Sequence, residues 1–176
     1  MRGDLREAAQ WARRGLDIRR DVCGADDITV VFDEAALVPI LIHQGEYGPA
    51  RAMLDVVLPR LERQFGPAHY EVAVALTNLG ALDAYQRCWE QAVAHLSRAA
   101  GIKRNALGPD SPELIRTLAN LAFAAEQTPD PILARGSGAE ALRIARTDLS
   151  PSHPLRVSLE ASHLRWSLPA EACTLG

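Results

Sequence analysis

The 176-residue sequence predicts an all-helical protein in which antiparallel helix pairs stack into a short solenoid. Two observations support this fold class. One interval of 42 residues recurs along the chain, and each period contains two stretches whose apolar residues recur every three or four positions. A helix of this kind can bury its apolar stripe only against its neighbours, so the stacking of successive units stabilises the fold.

The 42-residue interval relates several independent sets of residues. It separates three glycines, four alanines, three leucines and two asparagines, namely Gly24, Gly66 and Gly108; Ala8, Ala50, Ala92 and Ala134; Leu37, Leu79 and Leu121; Asn78 and Asn120. Several sets that share one interval are not expected of a non-repetitive chain. We therefore predict a single repeat domain over residues 1–176, with units at 2–27, 28–69, 70–111 and 112–153 and a capping helix at 154–168.

The unit at 70–111 contains both helical patterns. Its two apolar stripes are separated by a polar break at 86–88 and consist of Val72, Leu76, Leu79 and Leu82, then Trp89, Ala92, Val93, Leu96 and Ala99. Gly108 can adopt the left-handed conformation that ends a helix, and Pro109 cannot continue one. Each unit is therefore expected to hold two antiparallel helices.

Composition and charge limit the classes of partner and site. The formal net charge is -3, so we expect neither nucleic acid nor an anionic membrane as a partner. The longest apolar run, Ala35 to Ile42, is far shorter than the roughly 20 residues of a membrane-spanning helix. Three widely spaced cysteines without a C-x-x-C pair predict neither a disulfide framework nor a zinc site. Because no secretory signal is visible, we expect a cytoplasmic protein.

Polar residues at equivalent repeat positions could suggest a catalytic triad, namely Asp27, His69 and Ser111. Packed helices lie about 8–10 Å apart, so residues one unit apart cannot come within the ~3 Å of a hydrogen bond. The five histidines include no pair at the spacing that places two metal ligands on one helix face. We therefore expect no catalytic residue, no metal site and no cofactor.

Three sequence patterns resemble a known repeat family: Q-G-E-Y-x-x-A at 44–50, L-x-N-L at 76–79 and 118–121, and L-G-P-D-S-P-E-L at 107–114. They are similar to the long tetratricopeptide repeats of kinesin light chains. They also resemble the 42-residue repeats at the C-termini of many bacterial signalling ATPases and transcriptional activators. HEAT-type repeats of similar length lack the Gly-x-Tyr-x-x-Ala turn and the Gly-Pro hinge.

The resemblance covers roughly residues 2–168 and implies a right-handed α-α superhelix of about four helix pairs. Residues 2–5 align with residues 44–47, so the first unit is expected to lack its first helix. The chain also departs from the family's pattern. Pro39 and Pro59 are expected to kink their helices, and Gly136-Ser137-Gly138 to weaken another. Asp83 stands where the family usually has an aromatic residue.

The resemblance further implies a peptide groove on the first helices of the units. Asn78 and Asn120 match a position where peptide-binding tetratricopeptide domains often hold an asparagine that faces the groove, and Arg116 matches a basic residue for a carboxylate. The alternative is that the asparagines bond to neighbouring helices and stabilise the stack. The expected groove residues are Asn78, Asn120, Arg116, Thr77, Tyr85, Phe123, Phe32 and His43.

The N-terminal end of the stack is a second candidate surface. With no first helix in its unit, the apolar stripe that includes Leu5, Trp11 and Leu16 is expected to be uncovered. Exposed apolar area of this kind usually marks an interface. We hypothesise a homodimer, or docking of a neighbouring domain, through this end, while the helix at 154–168 caps the other end.

These features predict a scaffold or adaptor that binds a protein or peptide partner in its groove, within a bacterial regulatory system. One alternative is an enzyme or enzyme accessory of a biosynthetic pathway, built on a helical-repeat scaffold. Another is a fragment of a larger signalling protein. No cluster of titratable residues in the sequence favours the enzyme.

Overall fold

The computed structural model describes residues 2–167, with side chains described for residues 7–164. The described residues form helices only, which we number in chain order as α1 (Arg2–Cys23), α2 (Ile28–Gln44), α3 (Tyr47–Phe65), α4 (Tyr70–Tyr85), α5 (Trp89–Leu107), α6 (Glu113–Ala125), α7 (Pro131–Asp148) and α8 (Pro154–Ser167). Helix α1 precedes three consecutive pairs, and α8 follows them. The prediction of an all-helical repeat is therefore confirmed, and the described residues contain the second helix of the first unit.

The glycines of the 42-residue repeat, Gly24, Gly66 and Gly108, end α1, α3 and α5, the second helices of the first three units. Gly66 and Gly108 both have a φ of 86°, in the left-handed region that a residue with a Cβ rarely adopts. Their N–H groups donate to the carbonyl oxygens of Glu62 and Arg104, each one turn back along the helix. The same residue type therefore performs the same local task in successive units.

The apolar stripes meet between helices that are consecutive in sequence. One cluster of buried residues joins α1 through α5, from Leu16 to Ile102, and a second joins α5 through α8, from Ala100 to Leu159. The alanine that recurs every 42 residues is buried in all three complete pairs, at Ala50, Ala92 and Ala134, where its small side chain lets two helices approach closely. No single pair could bury this surface alone.

The residues expected to disturb helices lie inside continuous ones. Helix α2 continues past Pro39, and α3 continues past Pro59. Helix α7 runs through residues 136–138, where Ser137 and Gly138 are buried. The small residues at this point of α7 are therefore part of its packed side, and they do not interrupt it.

Asp83 replaces the expected aromatic residue with a buried carboxylate. It accepts hydrogen bonds from Arg51 on α3 and from the Nδ1 atom of His95 on α5, the latter at 2.7 Å. Burial alone raises the pKa of Asp83, but the hydrogen bonds from His95 and Arg51 outweigh burial and leave this pKa below its ordinary value of 3.8. The carboxylate therefore links three successive helices by charge and hydrogen bonds, at a position where an aromatic residue was expected to pack.

Lys103, the one lysine of the chain, is fully buried between α5 and α6. Its ammonium donates to the carbonyl oxygen of Glu113 and to the Oγ1 atom of Thr117, both at 3.1 Å. Burial, and then the positive charge of Arg116, lower the pKa of Lys103 from 10.5 to about 8. A charge in this place costs free energy that these two hydrogen bonds only partly offset.

The predicted N-terminal interface is wrong in one of its three residues. Leu16 is buried because α1 packs on α2 with the side that also carries Ala9. Trp11 lies on another side of α1 and is 62% exposed, together with Ile18 at 57%. The third residue, Leu5, has a side chain outside the described residues. Helix α1 thus has two apolar sides, of which only one is covered within the described part of the chain.

Candidate functional site

One cavity of about 820 Å³ opens on the side of the stack formed by the first helices of three successive units. Helix α2 contributes Pro39 and His43 at one end, and α6 contributes Phe123 at the other. Helix α4 lies between them and supplies the middle of the wall. Its residues 77, 78, 81, 84 and 85 face the cavity because they lie on one side of a helix with 3.6 residues per turn.

Seven of the eight residues predicted for the groove line this cavity. They come from three helices and are His43, Thr77, Asn78, Tyr85, Arg116, Asn120 and Phe123. Phe32 does not line it, so this part of the prediction is wrong. It lies near the start of α2, where its ring stacks on that of Phe65 at a centroid distance of 6.0 Å.

Thr77 belongs to the wall of the cavity but has no free polar group. Its side chain is buried, its hydroxyl donates to the carbonyl oxygen of Ala73 at 2.8 Å, and the two Oγ1 atoms of Thr77 and Thr117 lie 3.1 Å apart. Thr117 in turn accepts from Lys103. The role of Thr77 is therefore to bond α4 to α6 beneath the cavity.

The carboxamides of Asn78 and Asn120 are unpaired polar groups in the wall of the cavity. Asn78 is only 6% exposed, and Asn120 is partly buried on the next first helix. Neither side chain makes a hydrogen bond with any other described residue. The alternative in which the asparagines bond to neighbouring helices therefore finds no support among these contacts. The polar atoms of both carboxamides reach the cavity, so they are available to bond to a ligand or to water.

Two arginines give the cavity a positive rim. Arg116 is exposed at the start of α6, and Arg87 lies in the turn between α4 and α5. Within residues 7–164, neither guanidinium pairs with a carboxylate. Arg87 also has a φ of 61°, a left-handed conformation that costs a residue with a side chain about 1 kcal/mol or more. This turn therefore holds an arginine at the rim in spite of its backbone cost.

Aromatic rings form the apolar part of the wall. Tyr85 is half exposed and stacks on Tyr47 at 5.7 Å, while Phe123 is half exposed and meets the edge of Trp89 at 6.0 Å. Trp89 lines the cavity but was not among the predicted groove residues. In the sequence it looks like a packing residue, because it follows a turn at the position that Tyr47 holds in the previous unit.

The residues that could have formed a triad begin helices instead. The side chains of Asp27, His69 and Ser111 each accept a hydrogen bond from the backbone N–H two residues ahead. Each therefore satisfies a donor that the first turn of a helix leaves unpaired. In the described part of the chain, no group of three or more His, Cys, Asp or Glu side chains could hold a metal ion. None of the described helices is long and apolar enough to cross a membrane.

A stack of antiparallel helix pairs defines the class of helical-repeat proteins. Two family models, both described as tetratricopeptide repeat, match residues 71–147 and 1–29 and together account for more than half of the sequence. The chain therefore belongs to the tetratricopeptide repeat family and is an interaction scaffold in the general sense of that family. No curated protein matches the sequence significantly.

Solved structures with the same fold include kinesin light chain-like repeat proteins. Two crystal structures of kinesin light chain TPR-like repeats from Podosopora anserina, one of them a point variant, share 16% identity with this chain and have a TM-score of 0.74. Each comparison covers 94% of this chain and 78% of the other. BtubC (BKLC) from P. vanneervenii shares 23% identity with a TM-score of 0.71, and the match covers 86% of this chain but only 60% of BtubC.

Proposed function

We propose that this scaffold binds an extended segment of another protein in the cavity between α2, α4 and α6. The observation that carries the proposal is the pair of unpaired carboxamides, Asn78 and Asn120, one repeat apart on successive first helices. A carboxamide can donate to and accept from the same peptide backbone. An extended segment offers free N–H and C=O groups, whereas the backbone groups of a helix are already paired, so the amides favour the extended form.

The rest of the cavity agrees with a short peptide of mixed chemistry. A volume of about 820 Å³ is within the usual range of ligand sites, about 300–1,000 Å³. Tyr85, Trp89 and Phe123 provide apolar surface, and the free guanidinium groups of Arg87 and Arg116 suit a carboxylate. The preferred segment therefore carries an apolar side chain next to an acidic group.

A peptide selected from a displayed random library tests this proposal. We expect Asn78→Ala and Asn120→Ala to weaken the dissociation constant by roughly 2- to 10-fold each, the effect of one lost hydrogen bond of about 0.5–1.5 kcal/mol. Asn105, exposed on α5 outside the cavity, provides the matched control, and Asn105→Ala should leave the affinity unchanged. Fluorescence anisotropy with labelled peptide measures all four proteins, and circular dichroism verifies that each variant is folded.

Two outcomes contradict the cavity as the binding site. One is a set of selected peptides that bind the wild type and both cavity variants with equal affinity. The other is a library that yields no peptide for the wild type under conditions in which a control peptide-binding domain succeeds.

We also propose that the protein associates with itself through the uncovered side of α1. The observation that favours this is the exposure of Trp11 and Ile18 on a helix whose other apolar side is packed. Apolar residues grouped in this way are unusual on the surface of a monomer. Sedimentation velocity at tens of micromolar should detect species larger than a monomer, and a monomer throughout would contradict this proposal.

We further propose a regulatory role in a bacterial cytoplasm. The support is the resemblance of the repeats to those of bacterial signalling ATPases and transcriptional activators. Proximity labelling in the source cells should recover regulatory proteins. Recovery of metabolic enzymes alone would contradict this setting and leave the proposals on the cavity and on α1 intact.

A further inference from the structure

The two end helices of the stack expose apolar residues at repeat positions that are buried in the complete units. Helix α1 is equivalent to the second helices α3, α5 and α7, and α8 is equivalent to the first helices α2, α4 and α6. On α1, Ala8 is exposed, whereas the three alanines at 42-residue intervals after it are all buried. Gly15 shows the same contrast. A Cβ added to Gly15 would have no atom within 4 Å, whereas its equivalents Val57, Ala99 and Ala141 are buried.

In the complete units, the side of the second helix that corresponds to the uncovered side of α1 contacts the first helix of the same unit. His95 is the equivalent of Trp11, and it bonds to Asp83 on α4, its own first helix. Ile102 is the equivalent of Ile18, and it belongs to the same core cluster as the apolar residues of α4. Within residues 2–167, no helix occupies the corresponding place beside α1. We call Ala8, Trp11, Gly15 and Ile18 the α1 face.

Helix α8 has the complementary exposure. Val157 is 50% exposed and Leu164 is 68% exposed, although the residues at their equivalent positions in α2, α4 and α6 are all buried. The equivalent of Leu164 in α4 is Gly80. A Cβ added to Gly80 would lie 2.5 Å from the Cγ atom of Leu96 and 3.2 Å from the carbonyl oxygen of Ala92, both on α5. Val157 and Leu164, the α8 face, therefore occupy positions that contact a second helix elsewhere.

We propose that the α8 face of one copy docks on the α1 face of another copy and completes a helix pair between them. This inference rests on the proposed self-association and names the surface that α1 contacts. The proposed contact is the same as the one between the two helices of each pair within the chain. In the described residues, α8 is a first helix without its second helix, and α1 is a second helix without its first helix.

The sizes of the side chains fit this pairing. Within the chain, Gly80 on the first helix faces the large Leu96 on the second. In the proposed pair, the large Leu164 lies opposite Ala8 of the α1 face and the partly buried Ala12, which hold the positions of Ala92 and Leu96 in α1. Each contact thus combines one large and one small residue, in opposite order, as close packing of two helices requires. Val157 and Gly15 would likewise combine a large and a small residue, since their equivalents Ala73 and Ala99 belong to one core cluster.

The two faces lie on different helices, so the contact is heterologous and leaves one free face at each end of every assembly. Because a superhelical stack of this kind has no reason to close after two copies, the assemblies are linear and grow with concentration. A symmetric dimer through α1 would instead stop at two copies.

Two single variants and their mixture test the proposal. Trp11→Asp blocks the α1 face, and Leu164→Asp blocks the α8 face, since burying an unpaired carboxylate in an apolar contact is costly. Each variant alone should sediment as a monomer at concentrations where the wild type forms chains. An equimolar mixture should form dimers of twice the monomer mass and nothing larger, because each variant retains the face that the other lacks.

Ile132→Asp is the matched control, since Ile132 is an exposed apolar residue of α7 outside both faces, and it should assemble like the wild type. Ile18→Asp replaces Trp11→Asp if circular dichroism shows that the latter has lost helix. If the Leu164→Asp protein assembles like the wild type, the contact with α8 is wrong. If the Trp11→Asp protein is monomeric in the same experiment, the proposed self-association through α1 still holds. A mixture that remains monomeric while the wild type assembles also overturns the inference, and a monomeric wild type overturns both proposals.

Discussion

Lys103 places a positive charge at a repeat position that is apolar in the neighbouring units, where Leu61 and Ala145 stand. Its ammonium has two oxygen partners and lies 5.9 Å from the centre of the Tyr70 ring. These contacts do not replace water fully, because the pKa of Lys103 falls to about 8. Protonation of this side chain therefore costs more in the folded protein than in the unfolded chain.

The pH dependence of stability follows from this lowered pKa. Between pH 8 and 10 the unfolded chain binds more protons at Lys103 than the folded protein does, so the free energy of unfolding should rise with pH. The slope cannot exceed about 1.4 kcal/mol per pH unit for one proton. Urea unfolding of the wild type and of Lys103→Met at several pH values measures this slope. Subtracting the free energies of unfolding of the two proteins removes the contribution of the other titrating groups.

The measurement should stop near pH 10. Burial and the hydrogen bond to Glu113 raise the pKa of Tyr70 to about 12, so above pH 10 the unfolded chain loses the Tyr70 proton first and stability falls again. A difference between wild type and Lys103→Met that stays constant from pH 8 to 10 would contradict the burial of a titrating ammonium.

The buried charges could have been located in the sequence by comparing equivalent positions. Asp83 aligns with Leu41 and Ala125, as Lys103 aligns with apolar residues on both sides. Such a comparison indicates that a charge is buried. It does not identify the partners, because Arg51 and His95 reach Asp83 from different helices and their positions depend on how the units pack.

Helices α4 and α5 approach each other so closely at Gly80 that a Cβ added there would lie 2.5 Å from the Cγ atom of Leu96. Glycine usually destabilises a helix interior, by up to about 1 kcal/mol relative to alanine. At Gly80 this cost is offset by the contact with Leu96 and Ala92. Packing between α4 and α5, and not the helix propensity of the residue, therefore explains why glycine occupies this position.

Two glycine-to-alanine variants separate the two effects. Gly80→Ala should lower the free energy of unfolding, because the new methyl group meets Leu96 at 2.5 Å and the core must shift, at a typical cost of about 1–3 kcal/mol. Gly101→Ala on α5 should raise it by about 0.5–1 kcal/mol, because no atom lies within 4 Å of the new methyl group. Thermal unfolding of both variants measures this, and a stabilised Gly80→Ala protein would contradict the described helix contact.

The ends of α3 and α5 followed directly from the sequence, because glycines 42 residues apart end both helices. The polar residues that begin α2 and α4 were not predicted as helix starts, although they also stand at equivalent positions. The turn between α4 and α5 could not be predicted in the same way. Its left-handed residue is Arg87, an arginine, where glycine or asparagine would have been the expected signal.

On the scale of the molecule, repeat alignment predicts the middle of the stack and fails at its ends. It located seven residues of the cavity, because α4 has a first helix on either side of it. It failed for Phe32, whose equivalent Arg116 does line the cavity, since the cavity does not extend to the start of α2. It failed for Leu16 because α1 retains one neighbour, and the sequence did not indicate which of its two apolar sides that neighbour covers.

The central claim is that the unpaired amides of Asn78 and Asn120 bind a peptide backbone in the cavity. The chain contains three asparagines, at positions 78, 105 and 120, so labelling asparagine with nitrogen-15 gives a spectrum simple enough to assign with single variants. On addition of the selected peptide, we expect the side-chain amide signals of Asn78 and Asn120 to move while that of Asn105 stays. Movement of the Asn105 signal alone, or saturating peptide with no change at Asn78 and Asn120, would contradict the account.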